Sequence, residues 1–286
     1  MSPTVSPLLP WTIRSRSFDW GDRTYLMGVL NVTPDSFSDG GLFNSLETAI
    51  VHARTLVAAG ADILDVGGQS TRPNAVEVSL DEELHRVVPI IEQIRQETDI
   101  PLSIDTTRAA VAQAAIAAGA DIVNDISGAT YDADMLPAVA ALNVPLILMH
   151  LRGTPQTMQQ LTEYGDVVED IRAFLNARLE AAIACGVDRA SIAIDPGIGF
   201  AKTYQQNLEI LRRLPELRSL TCPLLVGASR KSFIGHILNQ PSPKERVWGT
   251  AAACSAAIAG GADILRVHDV RELKDVCQVA DAIFRF

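Results

Sequence analysis

The sequence predicts an α/β protein whose strands close into a (β/α)8 barrel capped by an N-terminal β-hairpin. Three observations carry this. Short apolar runs alternate with longer segments of helical spacing, there are eight such runs, and polar residues end nearly every one of them. The runs are 25–30, 62–66, 101–104, 121–123, 145–149, 191–194, 223–226 and 263–267. Each is apolar almost throughout, not at alternate positions only, as strands of a parallel sheet covered on both faces must be; the intervening helices supply the crossovers. An open doubly wound sheet usually has about five or six parallel strands and often a GxGxxG turn after the first. Eight runs without that turn favour closure into a TIM barrel.

The first 24 residues precede the first run. Positions 12–18 can pair with the strand beginning near Thr24 across Asp19-Trp20-Gly21-Asp22, giving a hairpin that closes the barrel bottom. Helix starts are marked independently of periodicity by capping boxes: Asn44 with Glu47, Ser79 with Glu82 and Asp269 with Glu272. Gly60-Ala61-Asp62, Gly119-Ala120-Asp121 and Gly261-Ala262-Asp263 recur just before runs, each a glycine helix stop followed by a tight turn into a strand. The longest uncharged stretch, 135–151, is interrupted by Pro137, Asn143 and Pro145 and reads as a helix end and a strand, not a membrane span. The chain is therefore read as one domain, 1–286, with 1–24 as the hairpin extension.

Composition narrows the class of protein. Hydrophobic residues make up 48% and charged residues 20%, which supplies a sizeable core and excludes a disordered chain. The 34 acidic residues outnumber the 24 Lys and Arg, for a formal charge of -10. Binders of nucleic acid or anionic membranes need a basic surface, so neither is an expected partner, and any anionic ligand must meet a local cluster of cations. Cys185, Cys222, Cys254 and Cys277 are widely spaced among apolar neighbours, with no CxxC pair, and are read as buried free thiols. The N-terminus carries no recognisable export signal, so the expected compartment is the cytoplasm.

A barrel places its active site at the C-terminal ends of the strands. There the sequence has Asn31 and a loop to Gly41, Gly67-Gly68-Gln69-Ser70-Thr71-Arg72-Pro73, Asp105, Asn124-Asp125, His150, Asp195-Pro196-Gly197, Ser229-Arg230-Lys231-Ser232, and Arg266 with His268. Plainer readings exist for some of them. Asp105 fits a helix N-cap, Asp195-Pro196-Gly197 fits an ordinary turn, and Asp65, inside a strand beside glycines, reads as a structural hydrogen-bonding residue. Arg266 ends an apolar strand, where an unpaired cation is costly, so it requires a carboxylate or a ligand anion. The loop from Asn31, with Phe37, Gly40 and Gly41, is either a lid or a disordered insertion; the lid is the preferred reading. Lys231, Arg266 and His268 stand where barrels commonly hold phosphate, and Asn31 with Asp39 nearby suits Mg2+, which prefers substrate oxygens and water to a protein cage. Asp105, Asn124 and Asp195 suit a flat heterocycle rich in N–H donors. The residues alone thus describe a metal-assisted enzyme acting on a phosphorylated planar compound.

The segments MGVLNVTPDSFSDGG (27–41), DVGGQSTRP (65–73), SIDTT (103–107), NDISG (124–128), LMHLRGTPQTMQ (148–159), DPGIGFAK (195–202), LLVGASRKSFIG (224–235) and RVHDV (266–270) closely resemble the dihydropteroate synthase family. The resemblance is ordered and spans 25–270. It implies a transferase of folate biosynthesis that condenses a dihydropterin methyl diphosphate with 4-aminobenzoate, with Mg2+ as cofactor and a homodimeric state. It further implies that Asp105, Asn124, Asp195 and Lys231 hold the pterin and that Asn31 contributes to Mg2+ binding. Arg72, Arg266 and His268 would neutralise the diphosphate, and Thr71, Pro73, Phe37, Phe200 and Ser232 would form the aminobenzoate pocket. Asp105, Lys231 and Arg72 are the expected catalytic residues. Gln69 departs from the family, which commonly has Glu there. A methyltransferase barrel passing a methyl group from methyltetrahydrofolate to a corrinoid partner would share the Asp and Asn contacts but would not need the aminobenzoate loops or the SRKS cation. A pterin-binding module without catalysis is a third reading, which no residue favours.

Overall fold

The structure, a computed structural model, describes residues 8–32, 42–71 and 75–285. Eight strands form the barrel: β3 (Tyr25–Asn31), β4 (Ile63–Gly67), β5 (Leu102–Asp105), β6 (Ile122–Asp125), β7 (Leu146–Met149), β8 (Ile192–Asp195), β9 (Leu225–Val226) and β10 (Ile264–Val267). They run in the order β8-β7-β6-β5-β4-β3-β10-β9, every pair parallel, and a bridge between Ile194 and Leu224 joins the two ends. All eight runs read from the sequence are strands, within a residue or two at their ends. Around them lie α1 (Leu42–Ala59), α2 (Leu80–Glu97), α3 (Ala109–Ala117), α4 (Met135–Leu142), α5 (Val167–Ala184), α6 (Tyr204–Arg212), α7 (Ser232–Leu238), α8 (Val247–Ala259) and α9 (Val270–Phe284). Among the described residues no helix is long and apolar enough to cross a membrane.

Because side chains alternate across a strand, each strand feeds two cores. Leu64, Val66, Ile104, Val123, Leu148, Ile194 and Leu265 face outward into the layer between strands and helices. Met27, Ile63, Ile122, Ile147, Ala193, Leu225 and Ile264 face inward, where Trp11, Ile13 and Phe18 join them and plug the N-terminal end. Two residues further along, the inward positions are Asp65, Asn124, Asp195 and Arg266, with Asp105 in the same series on β5. The barrel interior is therefore apolar at its base and polar at its mouth.

The plug is the expected hairpin, but it pairs differently. β1 (Trp11–Ile13) runs antiparallel to β2 (Arg16–Phe18), with Ile13 opposite Arg16, so the chain turns at Arg14 and Ser15 and not across 19–22. The reason is closure: β3 already has β10 on one side and β4 on the other, which leaves no edge for an antiparallel partner. Arg14 takes a left-handed φ of 55° at the turn and ties it to the barrel through Asp121, Nε to Oδ1 at 2.7 Å.

The Gly-Ala-Asp repeat has a specific task. Gly60, Gly119 and Gly261 all have φ near +100°, between 91° and 114°, where a side chain would be strained. The aspartate that follows each reaches back to the preceding strand: Asp62 accepts from the Leu26 N–H at 2.8 Å, Asp121 from Leu102 at 2.9 Å and Asp263 from Leu224 at 3.0 Å. Each caps a donor that the start of a barrel strand would otherwise bury unpaired.

Four local expectations need correction. Ser79 caps α2, accepting from the Glu82 N–H, but the Glu82 carboxylate accepts from Arg86, so only this half of its box forms. However, α1 begins at Leu42, so Asn44 lies inside the helix and not at its cap. Asp269 precedes α9 without capping it, because its carboxylate is taken by the Arg230 guanidinium, Nε to Oδ2 at 2.9 Å. Cys222, Cys254 and Cys277 are buried, whereas Cys185, at the C-terminus of α5, is exposed.

Candidate active site

The inward parity of the strands delivers the polar residues to one mouth. Arg266 lies at its centre, donating from Nη2 to Asp105 Oδ2 at 2.6 Å and from Nε to Asp65 Oδ2 at 2.6 Å. Its requirement for an anion is thus met by two carboxylates. Asn124 donates from Nδ2 to Asp65 at 3.2 Å. Asp195 is buried and accepts the Gly197 N–H at 2.7 Å, so the Asp-Pro-Gly segment is a turn and also a presenter of carboxylate. Asp105 is not a helix cap: α3 begins four residues later, after Arg108.

Above this floor lies a cavity of about 450 Å³, lined among others by Asn31, Thr71, Phe200, Lys231, Ser232, Arg266 and His268. Lys231, immediately before α7, holds its Nζ 4.0 Å from the centre of the Phe200 ring, a cation–π contact. Ser229 Oγ lies 3.0 Å from His268 Nδ1 and accepts the His268 backbone N–H at 3.2 Å, fixing the imidazole at the rim. Arg230, in a left-handed conformation with φ 60°, straps this loop to Asp269. Arg72, Phe37 and Pro73, named from the sequence, lie outside the described residues, as does Asp39.

Burial dominates the electrostatics. It pushes Asp195 up to about 6, against the Gly197 N–H and the attraction of Lys231, Lys202 and Arg266. Burial likewise lifts Asp105 above the ordinary carboxylate range, with Arg266 the chief opposing influence. Lys231 is pushed down to about 8, first by burial and then by Arg266, while Asp195 and Asp105 pull the other way. Burial also works against the charge of Arg266, but Asp65 and Asp105 outweigh it and raise its pKa.

Sequence reasoning assigned no catalytic or binding role to three residues that the structure brings into this network. Asp65 is fully buried beneath the mouth, and its parity with Ile63 and Gly67 was the available signal. Lys202 is buried and donates to the carbonyls of Gly197 and Phe200 at 2.9 and 2.8 Å, with His150 Nδ1 at 3.1 Å, so it pins the loop carrying Phe200. Burial pushes Lys202 down to about 7 and, with Lys202 beside it, His150 down to about 2. Ser229 lies 39 positions from His268, and nothing in the sequence links the two.

A cationic rim above a floor of carboxylates and an amide, in the mouth of a barrel, defines an enzyme that binds a planar, donor-rich group with an anionic substituent. The chain belongs to the pterin-binding enzyme family, whose model matches residues 27–268. Within that family it is similar to the dihydropteroate synthases, as its motifs suggest. It is 62% identical over 285 residues to dihydropteroate synthase of Synechocystis, an overlap covering 100% of this chain and 98% of that one. Its fold matches a crystal structure of dihydropteroate synthase from Clostridium difficile in the presence of pteroic acid, with a TM-score of 0.89 at 47% identity, covering 94% of this chain and 100% of the other. The enzyme from Xanthomonas albilineans with 4-aminobenzoic acid gives 0.90 at 43% identity, covering 96% and 97%.

Proposed function

We propose that the protein condenses (7,8-dihydropterin-6-yl)methyl diphosphate with 4-aminobenzoate to give 7,8-dihydropteroate and diphosphate. One observation carries the reading: acceptors on the floor (Asp105, Asn124, Asp195) share a single mouth with cations, Arg266 at the centre of that floor and Lys231 and His268 around the cavity above it. The floor matches the N–H edge of a pterin. The rim matches its diphosphate, with Arg72 joining it from the second loop. Thr71, Pro73, Phe37, Phe200 and Ser232 receive the aminobenzoate.

In the reaction the methylene C–O bond breaks first, its electron pair leaving with the diphosphate, and the neutral amine then forms the C–N bond and sheds a proton. Arg266, His268 and Lys231 stabilise the charge that builds on the departing oxygen, while Asp105 stabilises the positive charge spread over the ring. Mg2+ bound on the diphosphate would add Lewis-acid stabilisation there. Asn31, half-buried at the end of β3, offers one amide oxygen for it, and among the described residues no cluster of three or more acidic, His or Cys side chains forms a protein cage. That donor set fits an ion carried largely by substrate oxygens and water.

We further propose that the protein acts in the cytoplasm, as one domain spanning 1–286 and as a homodimer. The contact is assigned to α7 and α8, where Ile237 and Trp248 are 52% and 75% exposed beside an apolar groove of about 330 Å³. Trp248→Glu is expected to halve the mass in sedimentation.

The direct test mixes the pterin diphosphate, 4-aminobenzoate and Mg2+, follows diphosphate release, and omits each component in turn. Release that needs all three supports the reading. Absence of turnover, with tight binding of the pterin diphosphate, would reduce the protein to a binding module. Methyl transfer from methyltetrahydrofolate to a corrinoid protein would move it to the other class of pterin barrel.

A further inference from the structure

We infer that Asp65 is a positioning residue that sets which edge of the Asn124 amide faces the bound heterocycle, making Asn124 a hydrogen-bond acceptor there, and that it steadies Arg266 across the floor. The inference rests on the pterin-binding reading of the site given above.

A carboxylate oxygen facing a guanidinium accepts hydrogen bonds and does not donate them. Asp65 Oδ2 receives the Asn124 Nδ2 at 3.2 Å and the Arg266 Nε at 2.6 Å, so the amide must turn its NH2 toward Asp65 and its carbonyl away. Asn124 then joins Asp105 and Asp195 in a set of acceptors, complementary to a ring edge that offers N–H donors and hostile to one that offers lone pairs. With no acceptor beneath it, the same amide could present either edge, and discrimination would be lost.

Asp65 differs from the scaffold aspartates in what it holds. Asp62, Asp121 and Asp263 each give an oxygen to the N–H of a strand backbone. Among the described residues the donors to Asp65 are side chains of the site alone. Its Oδ1, and the Oγ of Ser103 directly across the β4–β5 ladder, have no hydrogen-bond partner among the described residues. A buried carboxyl group arranged in this way supports recognition, not chain geometry.

The test is a mutant cycle on Asp65→Asn and Asn124→Ala, reading the KM of each substrate. Asp65→Asn is expected to raise the KM for the pterin diphosphate at least tenfold and to leave that for 4-aminobenzoate within twofold. In the Asn124→Ala background most of that effect should vanish, because Asp65 acts largely through the amide. Equal increases in both KM values, or an undiminished effect in the Asn124→Ala background, would overturn the inference. Asn124→Ala without effect on the pterin KM would overturn the site reading itself. A measurement on the unmutated protein does not depend on the variants folding: the Asn124 side-chain NH2, identified in 15N NMR by its loss in Asn124→Asp, should show slow exchange before ligand is added and keep it afterwards. Rapid exchange without ligand, or a new bond from that NH2 to the ligand, would refute the assigned orientation.

Discussion

Lys231 gives the sharpest test of the electrostatics. Burial and Arg266 push its pKa down to about 8, inside the range where the enzyme can be assayed. If the charged form is the one that meets the diphosphate, kcat/KM for the pterin substrate must follow its protonation. Half of the lysine is charged at pH 8 and about a tenth at pH 9, so kcat/KM should fall roughly tenfold between pH 7 and pH 9. Stability moves the other way. The folded pKa lies below the unfolded value near 10.5, so the unfolded chain binds more protons over the interval from about 8 to 10.5, and the contribution of Lys231 to stability rises with pH there. Loss of rate without loss of folding is therefore the signature. Lys231→Arg supplies the control: a guanidinium stays charged, so its profile should be flat from pH 7 to pH 9 even though its altered shape lowers the absolute rate. Initial rates of diphosphate release at subsaturating pterin diphosphate and constant ionic strength read both proteins. A flat wild-type profile, or the same tenfold fall in Lys231→Arg, would refute the assignment of the charge to Lys231.

Asp105→Asn should lower turnover at least 100-fold while the melting temperature changes little, since Arg266 keeps its second partner, Asp65; near-normal turnover would remove Asp105 from the chemistry. Gly197→Ala places a methyl group 2.1 Å from the His150 carbonyl oxygen at a φ of +70°, and should cost about 3 kcal/mol or more of stability, read by denaturant unfolding. Gln69→Glu introduces the carboxylate that the family resemblance leads one to expect there. Because no role assigned above needs a carboxylate at that half-buried position, steady-state rates should stay within about tenfold of the parent, and a larger change would show that the position takes part in catalysis.

The barrel was legible because strand type, strand number and glycine stops all agree in the sequence. The mouth was legible for residues at strand ends, since polar side chains that repeatedly follow apolar runs do little for a core and must face water or a ligand. Asp65 was harder, because only its inward parity separates a site residue from a structural one. The couplings were not legible. Ser229 with His268 and Arg230 with Asp269 are each 39 positions apart, and Arg266 with Asp65 is 201 apart; such pairs exist only once the cylinder has closed. The hairpin pairing went astray for the same reason: a strand that looks free in one dimension has both edges occupied when the ends of the sheet meet.

The aspartates that follow the glycine stops also bear on how the molecule assembles. Their ties to earlier backbone span only 36, 19 and 39 positions. By contrast, the seam joining β3 to β10 unites residues about 240 apart, with a correspondingly larger loop to close. A nascent chain can therefore latch the first two of these β-α-β modules before the last stave exists, whereas the third forms only with that stave, and the catalytic basin, whose central arginine sits on it, is completed only once that stave has been made.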